Sequence, residues 1–93
     1  MKRQAHVFYE GRVQGVGFRY TAEEMAQRHG IVGWVRNRRD GRVELVAQGE
    51  DGAVRAFLDD VRTGPLGHYI RDVDISWSDP DEDFPNFDIR PTA

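Results

Sequence analysis

Gly11-Arg12-Val13-Gln14-Gly15-Val16-Gly17-Phe18-Arg19 follows the apolar run Val7, Phe8, Tyr9 and leads into a helical pattern. It therefore reads as the end of a strand, a glycine-rich loop and the first turn of a helix. An anion suits such a junction. Gly15 and Gly17 lack a Cβ, so the backbone can take positive φ and turn successive N–H groups to one side. The helix start behind them adds N–H donors without intrahelical partners and a partial positive charge. Arg19 contributes a permanent cation whose planar fork matches two oxygens of one phosphoryl group.

Two better-known glycine loops do not fit. A Walker loop needs Gly-x-x-x-x-Gly-Lys-Ser/Thr, but Val16 stands where the second glycine belongs and no Lys-Ser/Thr pair follows. The dinucleotide pattern Gly-x-Gly-x-x-Gly begins at Gly15 and Gly17 but meets Tyr20 at its third glycine. Taken alone, the loop could equally be a bend.

Outward from this stretch, residues 5 to 13 form the first strand. Val7, Tyr9 and Val13 point one way and His6, Phe8, Glu10 and Arg12 the other, which suits a central position. Phe18, Ala22, Met25, Ala26 and His29 have helical spacing and Gly30 ends the run. Thr21 with Glu24 offers a later capping box, but the start at Phe18 is preferred. Strands follow at 31–38 and 42–49, joined by Arg39-Asp40-Gly41 as a hairpin turn. A second helix spans 51–63, with Asp51 as its cap and Val54, Phe57, Leu58 and Val61 on its buried face. A strand over 69–77 alternates Val73, Ile75 and Trp77 against Asp72, Asp74 and Ser76, and a short one over 86–90 turns Phe87 and Ile89 inward. The order implies a ferredoxin-like α/β sandwich, βαββαβ. Its antiparallel sheet has four to five strands, with both helices on one face.

Ninety-three residues make one domain over 1–93, large enough for a core of its own. There is no cysteine, hence no disulfide framework and no thiolate nucleophile. No apolar run has the length of a membrane helix and no signal-peptide core follows Met1, so a soluble, cytoplasmic protein is expected. A net charge of −3 disfavours a nucleic-acid partner. Asp79, Asp81, Glu82 and Asp83 read as a solvated loop. Arg36, Arg38, Arg39 and Arg42 form a basic hairpin, with Glu44 or Asp40 available as ion partners.

No nucleophile with its base and no set of metal ligands stands out. His6, His29 and His68 are isolated and read as structural, Trp34 and Trp77 as packing groups. Asn37, at the end of the second strand, is by itself a turn residue. It gains a function only if that strand end lies near the glycine loop, where its amide could orient a water.

Gly11 to Arg19, and Gly33-Trp34-Val35-Arg36-Asn37 followed by Asp40-Gly41 and Val43-Glu44, resemble the two signature blocks of the acylphosphatase family. Asn86-Phe87-Asp88-Ile89-Arg90 resembles that family's last strand. The resemblance implies hydrolysis of the carboxyl–phosphate bond of acyl phosphates without a metal or organic cofactor. Arg19 and the amides of Gln14, Gly15, Val16, Gly17 and Phe18 would hold the phosphoryl group, and Asn37 would position the attacking water. Some relatives carry cysteine where Gly17 stands. The expected partner is a small acyl phosphate, with no nucleic acid and no membrane, and the expected state is a monomer. An RNA platform on the open sheet face is a second reading, but the loop lacks the basic-Gly-aromatic-Gly-aromatic order of that module. A third is a carbamoyl phosphate domain of a larger maturation system.

Overall fold

The strands alternate large apolar groups with polar ones, and that alternation sets the two faces of the sheet. A computed structural model describes all residues from Met1 to Ala93. In chain order the elements are β1 (Lys2–Gly11), α1 (Phe18–Arg28), β2 (Val32–Asn37), β3 (Val43–Glu50) and α2 (Asp51–Thr63). A single 3₁₀ turn (Gly67–Tyr69) then leads to β4 (Ile70–Ser78) and β5 (Phe87–Ile89). The sheet order is β4-β1-β3-β2-β5. The first four strands pair antiparallel, and β5 joins β2 in parallel with Phe87 opposite Gly33. The ferredoxin-like sandwich is as expected, and its fifth strand makes the sheet mixed.

Antiparallel partners share a face. Val7 opposite Leu45 and Tyr9 opposite Val43 put these side chains under the helices, where all four are buried. Phe18, Ala22, Met25 and Ala26 of α1 close the core from above, together with Val54, Phe57, Leu58 and Val61 of α2. These are the helical stripes the sequence predicts. α1 starts at Phe18 with Gly17 as its cap residue, so the early start holds over the Thr21 alternative. At α2 the cap is Glu50 rather than Asp51. Glu50 is already extended as the end of β3, so Asp51 falls in the first turn, where it pairs with Arg55 one turn on.

On β4 the apolar side is only partly covered: Val73 and Trp77 are half-buried and Ile75 is 40% exposed. Edge position explains this, since α2 overhangs only part of the strand. Asp79, Asp81, Glu82 and Asp83 are all exposed in the loop before β5.

The open face carries its own ordered network. Glu44 is buried there despite its charge, with Oε1 accepting from Arg36 at 2.8 Å and Arg38 at 3.1 Å, and Oε2 2.6 Å from His6 Nε2. Arg42 pairs with Asp40 and stacks on Phe8, while the guanidinium groups of Arg36 and Arg90 both approach the Trp34 ring, at 4.6 and 4.8 Å from its centroid. The hairpin arginines are thus mostly engaged within the protein. His29, at the end of α1, bonds Asp60 of α2 at 2.7 Å.

Candidate active site

β1 and β2 are not neighbours, because β3 runs between them. Whether the glycine loop and Asn37 meet therefore depends on which face each uses. Asn37 pairs with Val43 and lies two residues from Val35, so it shares the helix-side face with Val35 and Tyr9. The loop leaving β1 must rise on that same side to enter α1. The two converge at a cleft of about 100 Å³ lined by Val13, Gly15, Gly17, Phe18, Arg19, Tyr20 and Asn37.

The backbone of the loop has the form of a cradle. Gly15 and Gly17 take φ of 76° and 77°, the left-handed region in which a glycine needs no Cβ accommodated. None of the N–H groups from Val13 to Tyr20 donates a hydrogen bond within the protein; the first that does is Thr21, to Gly17 O. Some of these belong to the first turn of α1, which leaves its initial donors free in any helix. The rest belong to the loop. A run of consecutive donors left free for a ligand at a helix start suits a tetrahedral oxyanion. The first turn of α1 carries no acidic residue to compete with it.

Arg19 lies in that first turn, half-buried, and forms no ion pair with any carboxylate. By contrast Arg36, Arg38 and Arg42 are each paired. Asn37 has a complementary peculiarity: its Oδ1 is buried and accepts no hydrogen bond. Its backbone is well held, being paired with β3 and accepting from Ala93 N at 3.1 Å. A fixed backbone with an unsatisfied side-chain acceptor is a group prepared to bind something in the cleft.

Of the residues singled out in the sequence, Gly15, Gly17, Phe18, Arg19 and Asn37 line the cleft together. Gln14 and Val16 belong to the same run of unpaired amides but do not line it with their side chains. Val13 and Tyr20 line it as well and were not singled out as site residues; Val13 lies within the Gly11–Arg19 stretch and Tyr20 directly follows it. Sequence reading also missed the side chain of Gln14, whose Nε2 donates to Arg38 O at 2.7 Å and Arg42 O at 2.9 Å. No group of three or more His, Asp or Glu side chains is placed to hold a metal ion.

Comparison with known proteins places the chain in a family. The model of the family described as Acylphosphatase matches residues 5–89. An acylphosphatase of Pyrobaculum aerophilum is 46% identical over 91 residues, covering 97% of this chain and 96% of the relative. One from a Synechococcus strain is 48% identical over 90 residues, covering 97% and 95%. The crystal structure of acylphosphatase from Bacillus subtilis superposes with a TM-score of 0.88 at 38% identity, over 95% of this chain and 98% of that one. A loop of free amides, an unpaired arginine and an asparagine facing them thus occur in a chain that belongs to the acylphosphatase family.

Proposed function

We propose that Arg19 and the amides of Gln14, Gly15, Val16, Gly17 and Phe18 hold the phosphoryl group of an acyl phosphate while Asn37 positions the attacking water, without a metal ion. The protein is a hydrolase of acyl phosphates by its family; the proposal concerns the residues that carry the reaction. Its main support is the row of unpaired N–H groups from Val13 to Tyr20 around an arginine with no carboxylate partner.

The chemistry needs little else. An acyl phosphate is a mixed anhydride, and its leaving group is a carboxylate that departs without protonation. Phosphoryl transfer through a loose transition state calls for alignment of water and leaving group, and for charge stabilisation at the equatorial oxygens. Arg19 and the amides supply the charge stabilisation from fixed positions. Asn37 Oδ1 accepts a hydrogen bond from the water and directs its lone pair at phosphorus. The water's proton passes to a phosphoryl oxygen as the P–O bond forms and the bond to the carboxylate breaks. Products are a carboxylate and inorganic phosphate.

A monomer in the cytoplasm completes the reading. Gly15, Gly17 and Tyr20 are exposed and leave the cleft open to small diffusible substrates. No helix is long and apolar enough to cross a membrane.

The test is hydrolysis of benzoyl phosphate by wild type, Arg19→Ala and Asn37→Ala, each in EDTA and each checked for folding. Loss of one well-placed donor in such a site costs on the order of 100- to 1,000-fold in rate. We expect that loss in Arg19→Ala, a fall of about 100-fold in Asn37→Ala because the water is no longer positioned, and no loss from EDTA in the wild type. A folded Arg19→Ala enzyme within tenfold of wild type would overturn the assignment.

A further inference from the structure

The catalytic groups proposed above sit on two pieces of chain that the sheet does not join directly. The loop follows β1, Asn37 ends β2, and β3 separates them. No other side chain of residues 12–17 hydrogen-bonds to the rest of the protein; Gln14 does so twice, to the carbonyls of Arg38 and Arg42. Those residues form the neck of the β2–β3 hairpin. Arg38 follows Asn37 directly, and Arg42 precedes Val43, the residue opposite Asn37.

Neither carbonyl requires Gln14 for its own satisfaction. Arg38 O already accepts from Gly41 N at 3.1 Å, and Arg42 O from Arg38 N at 2.8 Å. The hairpin is closed by its own backbone, so the two bonds from Gln14 add an attachment rather than complete a turn. A rigid link of this kind matters most where reacting groups must keep a fixed separation, because a 1 Å misplacement costs about 100-fold in rate.

From this arrangement we infer that the Gln14 side chain is a positioning residue that sets the distance between the phosphate cradle and Asn37. It touches neither substrate nor water. Its backbone amide belongs to the cradle, while its side chain reaches the other way to fix the strand end that bears Asn37. The inference rests on the roles proposed above for Arg19 and Asn37.

Gln14→Met keeps the length of the side chain and removes both donors. Gln14→Asn keeps the amide but shortens its reach. For each, kcat and KM for benzoyl phosphate and the inhibition constant of inorganic phosphate are measured, with thermal melting as the check on folding. The expected result for Gln14→Met is a kcat lower by about 10- to 100-fold, with phosphate inhibition changed by less than about threefold because Arg19 and the amides remain. Gln14→Met combined with Asn37→Ala should be little slower than Asn37→Ala alone, since Gln14 acts through Asn37.

Wild-type kcat in a folded Gln14→Met protein overturns the inference, as do fully additive effects in the double variant. If Gln14→Met does not fold, Gln14→Asn is read by the same criteria; if neither folds, the link is a folding element and the inference fails. The underlying assignment fails differently, through a folded Arg19→Ala protein that keeps its activity and its inhibition by phosphate.

Discussion

His6 Nε2 lies 2.6 Å from Glu44 Oε2 on the sheet face away from the helices, and Glu44 is only 4% exposed. Burial by itself would push this carboxyl up, but hydrogen bonds from His6 and Arg36 and the nearby guanidinium charge outweigh it and hold it below the ordinary glutamate range. A carboxyl lowered by folding contributes stability that is fully present above its unfolded value, about pH 4.3, and is lost as pH falls through the lower folded value. Glu44→Gln should therefore cost about 1–3 kcal/mol near pH 7. The gap to wild type should narrow below about pH 4. Urea midpoints of both proteins at pH 7 and pH 3.5 check this; a gap equal at the two values would contradict it.

Gly33 stands on β2 with φ 137°, and a Cβ there would lie 1.9 Å from the carbonyl oxygen of Val46. The neighbour is backbone of the central strand β3 and cannot swing aside. Gly33 also pairs with Phe87 and accommodates the approach of β5. Gly33→Ala should cost about 3 kcal/mol or more, as strain at such positions does, lowering Tm by at least about 12 °C in a domain of this size. A melt within a few degrees of wild type would show that β2 and β3 can separate locally.

Local pattern carried much of the architecture. The spacing of Phe18, Ala22, Met25 and Ala26 placed α1, and the alternation of Val43, Leu45 and Ala47 placed β3, because each reports one buried face over many residues. The motif marked Arg19 and its amides for the same reason: the cradle is local, built from one loop and the helix that follows. Asn37 was legible as chemistry only through family resemblance. Its meeting with Arg19 depends on strand order and facing, which no single stretch encodes. Long-range pairings stayed hidden, including the Gln14 link to the hairpin neck, the threefold engagement of Glu44 and the parallel addition of β5. The cap of α2 was misplaced by one residue because Glu50 and Asp51 are both acidic and only the backbone distinguishes them.

Gly17 differs from Gly33 in what surrounds it. Its φ of 77° is unfavourable for any residue with a Cβ, yet a Cβ there meets nothing within 4 Å. The cost of Gly17→Ala is then the left-handed strain alone, about 1–2 kcal/mol, with the backbone amide still present in the cradle. Chemical denaturation should read that loss of stability. The inhibition constant of inorganic phosphate should rise by less than about tenfold, far short of the Arg19→Ala effect. A collapse of phosphate binding at Gly17→Ala would mean that the strained conformation relaxes and carries the amides away.

Arg19 and the amides could act as a diffuse positive field or as a shaped receptor, and Arg19→Lys separates the two. Lysine keeps the charge but presents a point ammonium instead of a planar fork that meets two oxygens at once. Arg19 is also free of carboxylate partners, so no salt bridge inside the protein is lost in the exchange. Under a field mechanism, Arg19→Lys would keep most of the activity and the inhibition by phosphate would strengthen or weaken with ionic strength as in wild type. Under the receptor geometry, charge alone recovers binding but not alignment. The inhibition constant of inorganic phosphate should then return toward wild type, while kcat for benzoyl phosphate stays at least about tenfold down. Steady-state kinetics with phosphate as competitor, on wild type, Arg19→Lys and Arg19→Ala at one ionic strength, give both quantities in a single series. A lysine enzyme with wild-type kcat would show that the fork is dispensable and that the cradle works by charge.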